Sequence, residues 1–74
     1  MSDLVKRFGL AVRAARREHG WAQEELSEAA RLDRTYISGL ERGRRNPTLS
    51  TLERIAAALG CPLADLIRAA EEMQ

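Results

Sequence analysis

Apolar residues recur along this chain at intervals of three and four, and three of the runs close on a glycine. Leu4, Phe8, Ala11, Val12 and Ala15 mark the buried face of a first helix, which starts after Asp3, a good N-cap. Trp21 falls in the connection and covers the junction to a second helix over residues 23–30, in which Leu26 and Ala29 point inward. Asp33 caps a third helix whose buried side is Ile37 and Leu40. Gly43 to Pro47 read as a loop, because the proline keeps Asn46 out of helical geometry. Thr48 or Ser50 opens a fourth helix, with Leu49, Leu52, Ile55, Ala56 and Leu59 at helical spacing. Pro62, tolerated in a first turn, leads into a fifth with Leu63, Leu66, Ile67 and Ala70. Gly20, Gly43 and Gly60 suit the left-handed position just past a helix end. No segment alternates with period two, so the expected fold class is all-α: five helices in one domain over residues 1–74, with residues 71–74 expected to fray.

Composition narrows what such a domain can do. With 74 residues and only three aromatics, the core is modest, and a dimer interface would add stability. The single cysteine, Cys61, excludes an internal disulfide framework and fits a reducing compartment; its expected role is to fill space at the start of the fifth helix. No apolar run approaches the roughly 20 residues that span a bilayer, and the N-terminus lacks a signal-peptide pattern, so a cytoplasmic location and no membrane partner are expected. One histidine and one cysteine make no metal-ligand cluster, so no metal, cofactor or catalytic residue is expected, and the chain is read as a binding protein and not an enzyme. The net charge of +1 decides nothing, but its distribution is polar. Residues 1–45 carry ten Lys or Arg against seven Asp or Glu, and residues 46–74 carry two against four. A positive front and an acidic tail would orient the molecule on a polyanion.

The second and third helices carry the candidate chemistry. A DNA major groove accepts one α-helix that has polar residues on one side and an apolar grip on the other, beside a helix whose N-terminus faces phosphate. The third helix buries Ile37 and Leu40 and leaves Arg34, Thr35, Tyr36 and Ser38 near its exposed beginning, as base-reading candidates. Arg34 has the forked geometry for guanine O6 and N7, Thr35 offers a methyl or a hydroxyl, and Tyr36 offers a ring or a hydroxyl. Gln23 opens the second helix, where backbone N–H groups and the helix dipole attract phosphate. Arg42, Arg44, Arg45 and Asn46 form a donor-rich edge that would track the backbone. A solvated helix face beside a basic loop is the plainer reading of each piece alone.

The chain also resembles the Cro and lambdoid-repressor type of helix-turn-helix domain over roughly residues 4–70, on Val12 to Arg16, Gln23-Glu24-Glu25-Leu26, Ile37 to Gly43, and Asn46-Pro47-Thr48-Leu49. That resemblance implies a five-helix, lambda-repressor-like DNA-binding domain with its helix-turn-helix over about residues 22–42. It implies that Gln23 holds a phosphate and braces the recognition helix, that Arg34, Thr35, Tyr36 and Ser38 read bases, and that Arg16 and Glu41 form a structural salt bridge. The run Asp33 to Gly43, followed by Arg45-Asn46-Pro47, is similar in particular to the controller proteins of restriction–modification systems, which are small dimeric regulators.

Three positions depart from the pattern. Ala22 stands where Ser or Thr usually caps the second helix, Arg31 where the turn often has Gly, and Gly39 where many relatives carry a base-reading side chain. The fifth helix, over about residues 62–72, is expected to carry a dimer interface through Leu63, Leu66, Ile67 and Ala70. The expected function is thus a sequence-specific regulator of transcription that binds double-stranded DNA as a homodimer on an inverted repeat, with RNA polymerase as a further partner if it activates. The competing reading is a protein-interaction adaptor or antitoxin-like partner on the same fold.

Overall fold

The computed structural model describes residues 3–73 and contains α1 (Asp3–Glu18), α2 (Gln23–Ala30), α3 (Arg34–Glu41), α4 (Leu49–Leu59) and α5 (Leu63–Glu72), with no strand among them. Val12, Leu26, Ile37, Leu40 and Ile55 are fully buried at its centre, one or two from each of the first four helices. α1 packs against α3 and most extensively against α5, α2 against α3 and α4, and α4 against α5. The buried positions Phe8, Ala11 and Val12 lie three and four apart, so one stripe of α1 serves both neighbours.

α1 crosses α3 at Gly9, which is buried. A side-chain carbon there would overlap the Leu40 carbonyl oxygen and come within 3.0 Å of that of Glu41. Backbone yields less readily than a flexible side chain, so Gly9→Ala is expected to cost about 1–3 kcal/mol, seen as a lower urea midpoint at unchanged slope. No sequence signal marks Gly9 for this role, since a glycine inside a helical pattern ordinarily means only weaker helix propensity.

The ends of the helices correct several expectations. Asp3 is the first residue of α1 and not its cap, a position where its charge favours the helix dipole. Leu4 is 38% exposed and Leu49 is 71% exposed, because both sit in the opening turns of their helices, beyond the reach of the core. Ala30, one turn beyond Leu26, is the buried alanine of α2, and Ala29 faces solvent. Pro62 occupies the N-cap of α5, one residue ahead of its first turn. The chain end is tied down: Arg7 donates to the Glu71 and Met73 carbonyls at 3.4 and 3.3 Å, and Met73 packs on the core. Of the residues expected to fray, Glu71 and Glu72 are helical, and Gln74 lies outside the described residues.

Thr48 caps α4 by accepting from the Thr51 N–H at 3.2 Å, and Asp33 caps α3 by accepting from the Thr35 N–H at 3.0 Å. That N–H, and then the Thr35 hydroxyl, hold the Asp33 carboxyl below its ordinary value. A lowered folded value means that this cap stabilises fully above the usual aspartate range and loses its contribution as the pH falls below that range through the lowered value. Gly20, Gly43 and Gly60 all have positive φ, as their places after helices predict.

Candidate nucleic-acid interface

Between α2 and α3 the chain turns at Arg31, the non-glycine residue with positive φ (57°, ψ 47°) among those described. Left-handed geometry costs an L-residue other than glycine about 1–2 kcal/mol, so something must hold it. Arg54 of α4 reaches across and donates to the carbonyls of both Ala30 (3.1 Å) and Arg31. It thereby supplies donors to the last carbonyl of α2 and to that of its C-cap residue.

The other end of the unit is fixed by a buried polar cluster. Arg16 forks onto Glu41, with Nε to Oε2 at 2.7 Å and Nη2 to Oε1 at 2.9 Å, and its Nη1 donates to the Trp21 carbonyl at 2.7 Å. Gln23 adds a third hydrogen bond to this carboxylate, Nε2 to Oε1 at 3.1 Å. The hydrogen bond to Glu41 raises the Arg16 pKa against the opposing pull of burial, so the guanidinium stays charged. α1, the Trp21 connection, the start of α2 and the end of α3 thus meet on one carboxylate, as the resemblance implied for Arg16 and Glu41. Beside it His19 Nε2 donates to the Leu59 carbonyl at 2.7 Å and its ring lies 4.5 Å from that of Trp21, which locks the end of α1 to the end of α4.

On the outer side of this brace Gln23, Arg34, Thr35, Ser38 and Arg42 line one shallow hollow. Arg34 and Thr35 are exposed, and Tyr36 and Ser38 are half-buried. Thr35 spends its hydroxyl hydrogen on Asp33 Oδ1 at 2.9 Å, so outward it offers a methyl and a lone pair. Gln23 keeps one amide hydrogen and its carbonyl oxygen after its bond to Glu41. The N-terminus of α2 is less open to an anion than its sequence suggests. Ala22 supplies no side-chain cap, and its N–H donates to the Glu25 carboxylate at 2.7 Å. Only half of a capping box is therefore made, and Ala22→Ser is expected to complete it, raising stability by about 0.5–2 kcal/mol in thermal unfolding.

The four residues of the donor-rich edge go four ways. Arg42 lies along α3, with Nε to the Ser38 carbonyl at 3.3 Å, and lines the hollow. Arg45 folds back over Tyr36, its guanidinium 5.4 Å from the ring centre, and its stem occupies the space a side chain at Gly39 would need. Arg44 is exposed, whereas Asn46 lies on the far side of the loop, beside Leu4, Val5 and Phe8. In α5, Leu66 and Ala70 belong to the chain's own core, which corrects their expected place in a dimer interface, while Leu63 and Ile67 stay half-buried. Burial pushes the Cys61 thiol pKa up and nearby Asp65 adds to the shift, in keeping with a space-filling role.

A helix-turn-helix family profile matches residues 12–66, from the middle of α1 into α5. The chain belongs to this helix-turn-helix family. It is 41% identical over 70 residues to a helix-turn-helix-type transcriptional regulator of Sinorhizobium fredii, covering 95% of this chain and 91% of that one. It is 42% identical over 67 residues to the control protein C.MunI of a Mycoplasma species, covering 89% and 90%. Among solved structures, the restriction–modification controller C.AhdI of Aeromonas hydrophila superposes with a TM-score of 0.83 at 39% identity, over 89% of this chain and 98% of that one. The resemblance to controller proteins thus holds in both sequence and fold. Like its relatives, this helix-turn-helix protein is a DNA-binding regulator of transcription. No described helix is long and apolar enough to cross a membrane.

Proposed function

We propose that this helix-turn-helix protein binds an inverted-repeat operator as a homodimer, placing α3 of each copy in the major groove. The observation that carries this reading is the exposed Arg34 at the start of α3, grouped with Gln23, Ser38 and Arg42 in one hollow and backed by a buried polar cluster. Rigid support from behind is what a base-reading side chain needs. Arg34, Thr35, Tyr36 and Ser38 read base edges in this scheme. Gln23, Arg42, Arg44 and Arg45 are assigned to phosphate, whereas Asn46, beside the apolar hollow on the other side of the loop, is left out of that set. The domain over residues 1–74 acts by binding and not by catalysis, in the cytoplasm. The controller relatives support a role in timing a restriction–modification system, and RNA polymerase is the partner if binding activates.

Selection of bound duplexes from a random pool at near-physiological salt tests the reading. Recovery of an inverted repeat with half-sites about one helical turn apart is the expected result. Recovery of no preferred sequence, with binding lost at modest salt, would leave only non-specific attraction and turn attention to a protein partner, as in the adaptor reading.

A further inference from the structure

α3 is held at both ends. Its last residue, Glu41, is fixed by the buried cluster with Arg16 and Gln23. Ahead of its first residue, Arg34, the chain leaves α2 through the left-handed Arg31. There the Arg31 N–H donates to the Glu28 carbonyl at 3.2 Å and the Leu32 N–H to that of Ser27 at 2.9 Å, which closes the end of α2. The carbonyls of Ala30 and Arg31 take no part in that closure. Both accept from Arg54 instead, the first from Nε at 3.1 Å and the second from Nη2. Arg54 belongs to α4, which packs chiefly on α2 and α5, whereas α3 packs chiefly on α1 and α2. The guanidinium is thus a tether from a helix outside the helix-turn-helix unit to the turn inside it.

We propose that Arg54 is a positioning residue for DNA recognition, which acts through the turn at Arg31 to set the angle at which α3 meets the groove. This role rests on the reading of α3 as the base-reading helix and adds what fixes its angle. A fork that binds two successive carbonyls fixes the orientation of both peptide planes, which a single donor cannot do. The planes in question belong to the residue whose left-handed backbone most needs holding, and it stands only three residues before Arg34. Leverage makes the angle matter. An eight-residue helix is about 12 Å long, so a tilt of about 10° pivoting on the Glu41 end would shift Arg34 by about 2 Å. A shift of that size exceeds the narrow range of N–H···O distances within which a base edge is read. Arg54 itself is exposed, so water can hydrate the two carbonyls once it is gone. The fold then survives its removal, and the fixed angle does not.

Titration of the full chain with two duplexes tests this role: the one that the native chain selects from a random pool, and a scrambled duplex of the same length. Arg54→Met is expected to lower the ratio of the two affinities about tenfold at unchanged helicity, since remote couplings of this kind amount to roughly a factor of 2–30 per site and a dimer has two sites. The lost positive charge weakens both duplexes alike and cancels in the ratio. A lower folded fraction would cancel in the same way, so a purely structural role would leave the ratio unmoved. Glycine adopts the left-handed turn without a steric cost. Arg31→Gly alone is therefore expected to keep the native ratio, and Arg31→Gly combined with Arg54→Met to regain most of what Arg54→Met loses. An Arg54→Met protein with the native ratio overturns the inference and leaves the base-reading role of α3 standing. A lowered ratio that Arg31→Gly does not restore overturns it as well, because the effect then bypasses the turn. A native chain that selects no duplex overturns the base-reading role itself.

Discussion

Replacing Arg16 with methionine is expected to destabilise the protein by about 3–5 kcal/mol, the cost of stranding a buried charge. The Glu41 side chain is only 2% exposed and would keep a single donor, the Gln23 amide, in place of three. The Trp21 carbonyl would lose its donor as well. Domains of this size have about 4–11 kcal/mol of stability in all, so the variant should be partly unfolded in mild denaturant. Methionine retains most of the apolar volume of the arginine stem, which separates the charge effect from packing. The double variant Arg16→Met, Glu41→Leu is expected to regain at least half of the loss, since a buried pair replaced by apolar groups is often neutral. Urea unfolding of the two proteins decides the matter. If the double variant is no more stable than the single one, the stranded carboxylate is not the cause.

The second large effect is on recognition. A bidentate arginine–guanine pair gives roughly 1–3 kcal/mol of discrimination, and a dimer has two, so Arg34→Ala should narrow the gap between operator and random DNA by about 2–6 kcal/mol. Arg34 is exposed, so folding should not change. Arg44→Ala makes the instructive comparison. It should weaken both DNAs alike and lower the salt slope by about 0.9 per copy, as loss of one phosphate contact requires. Fluorescence anisotropy titrations on both DNAs across a salt series give all of these quantities. Equal erosion of specificity in the two variants would refute the division between base and phosphate contacts.

The five helices were legible because their signals are local: apolar spacing, the Asp33 cap, and glycines with positive φ after α1, α3 and α4. The extent of burial was less so. Leu4 and Leu49 fit the helical period yet stay exposed, since periodicity shows which side a residue lies on and not how far the core reaches. Leu66 and Ala70 share the helical period of the expected dimer face, yet they turn into the chain's own core, where α1 packs against α5. The bracing pair Arg16 and Glu41, 25 residues apart, was accessible only through resemblance. Nothing in a single sequence links Arg54 to the end of α2, or lays Arg45 over Gly39, because both are contacts between distant segments. Family membership and general function follow from sequence and structure together.

The brace and the reading face are separate in one useful respect. Arg34 and Thr35 project to solvent, while Glu41, Arg16 and one edge of Gln23 carry the structural load behind them. Changes at Arg34 therefore leave stability nearly untouched, while a change at Thr35 gives up only its hydroxyl bond to the Asp33 cap and keeps the backbone one. At Gln23 the same freedom is absent, because its amide serves the buried carboxylate as well as the outer hollow. If α3 reads bases and Gln23 holds a phosphate, as proposed, the choice of DNA can be altered without disturbing the fold, and the grip on the backbone cannot.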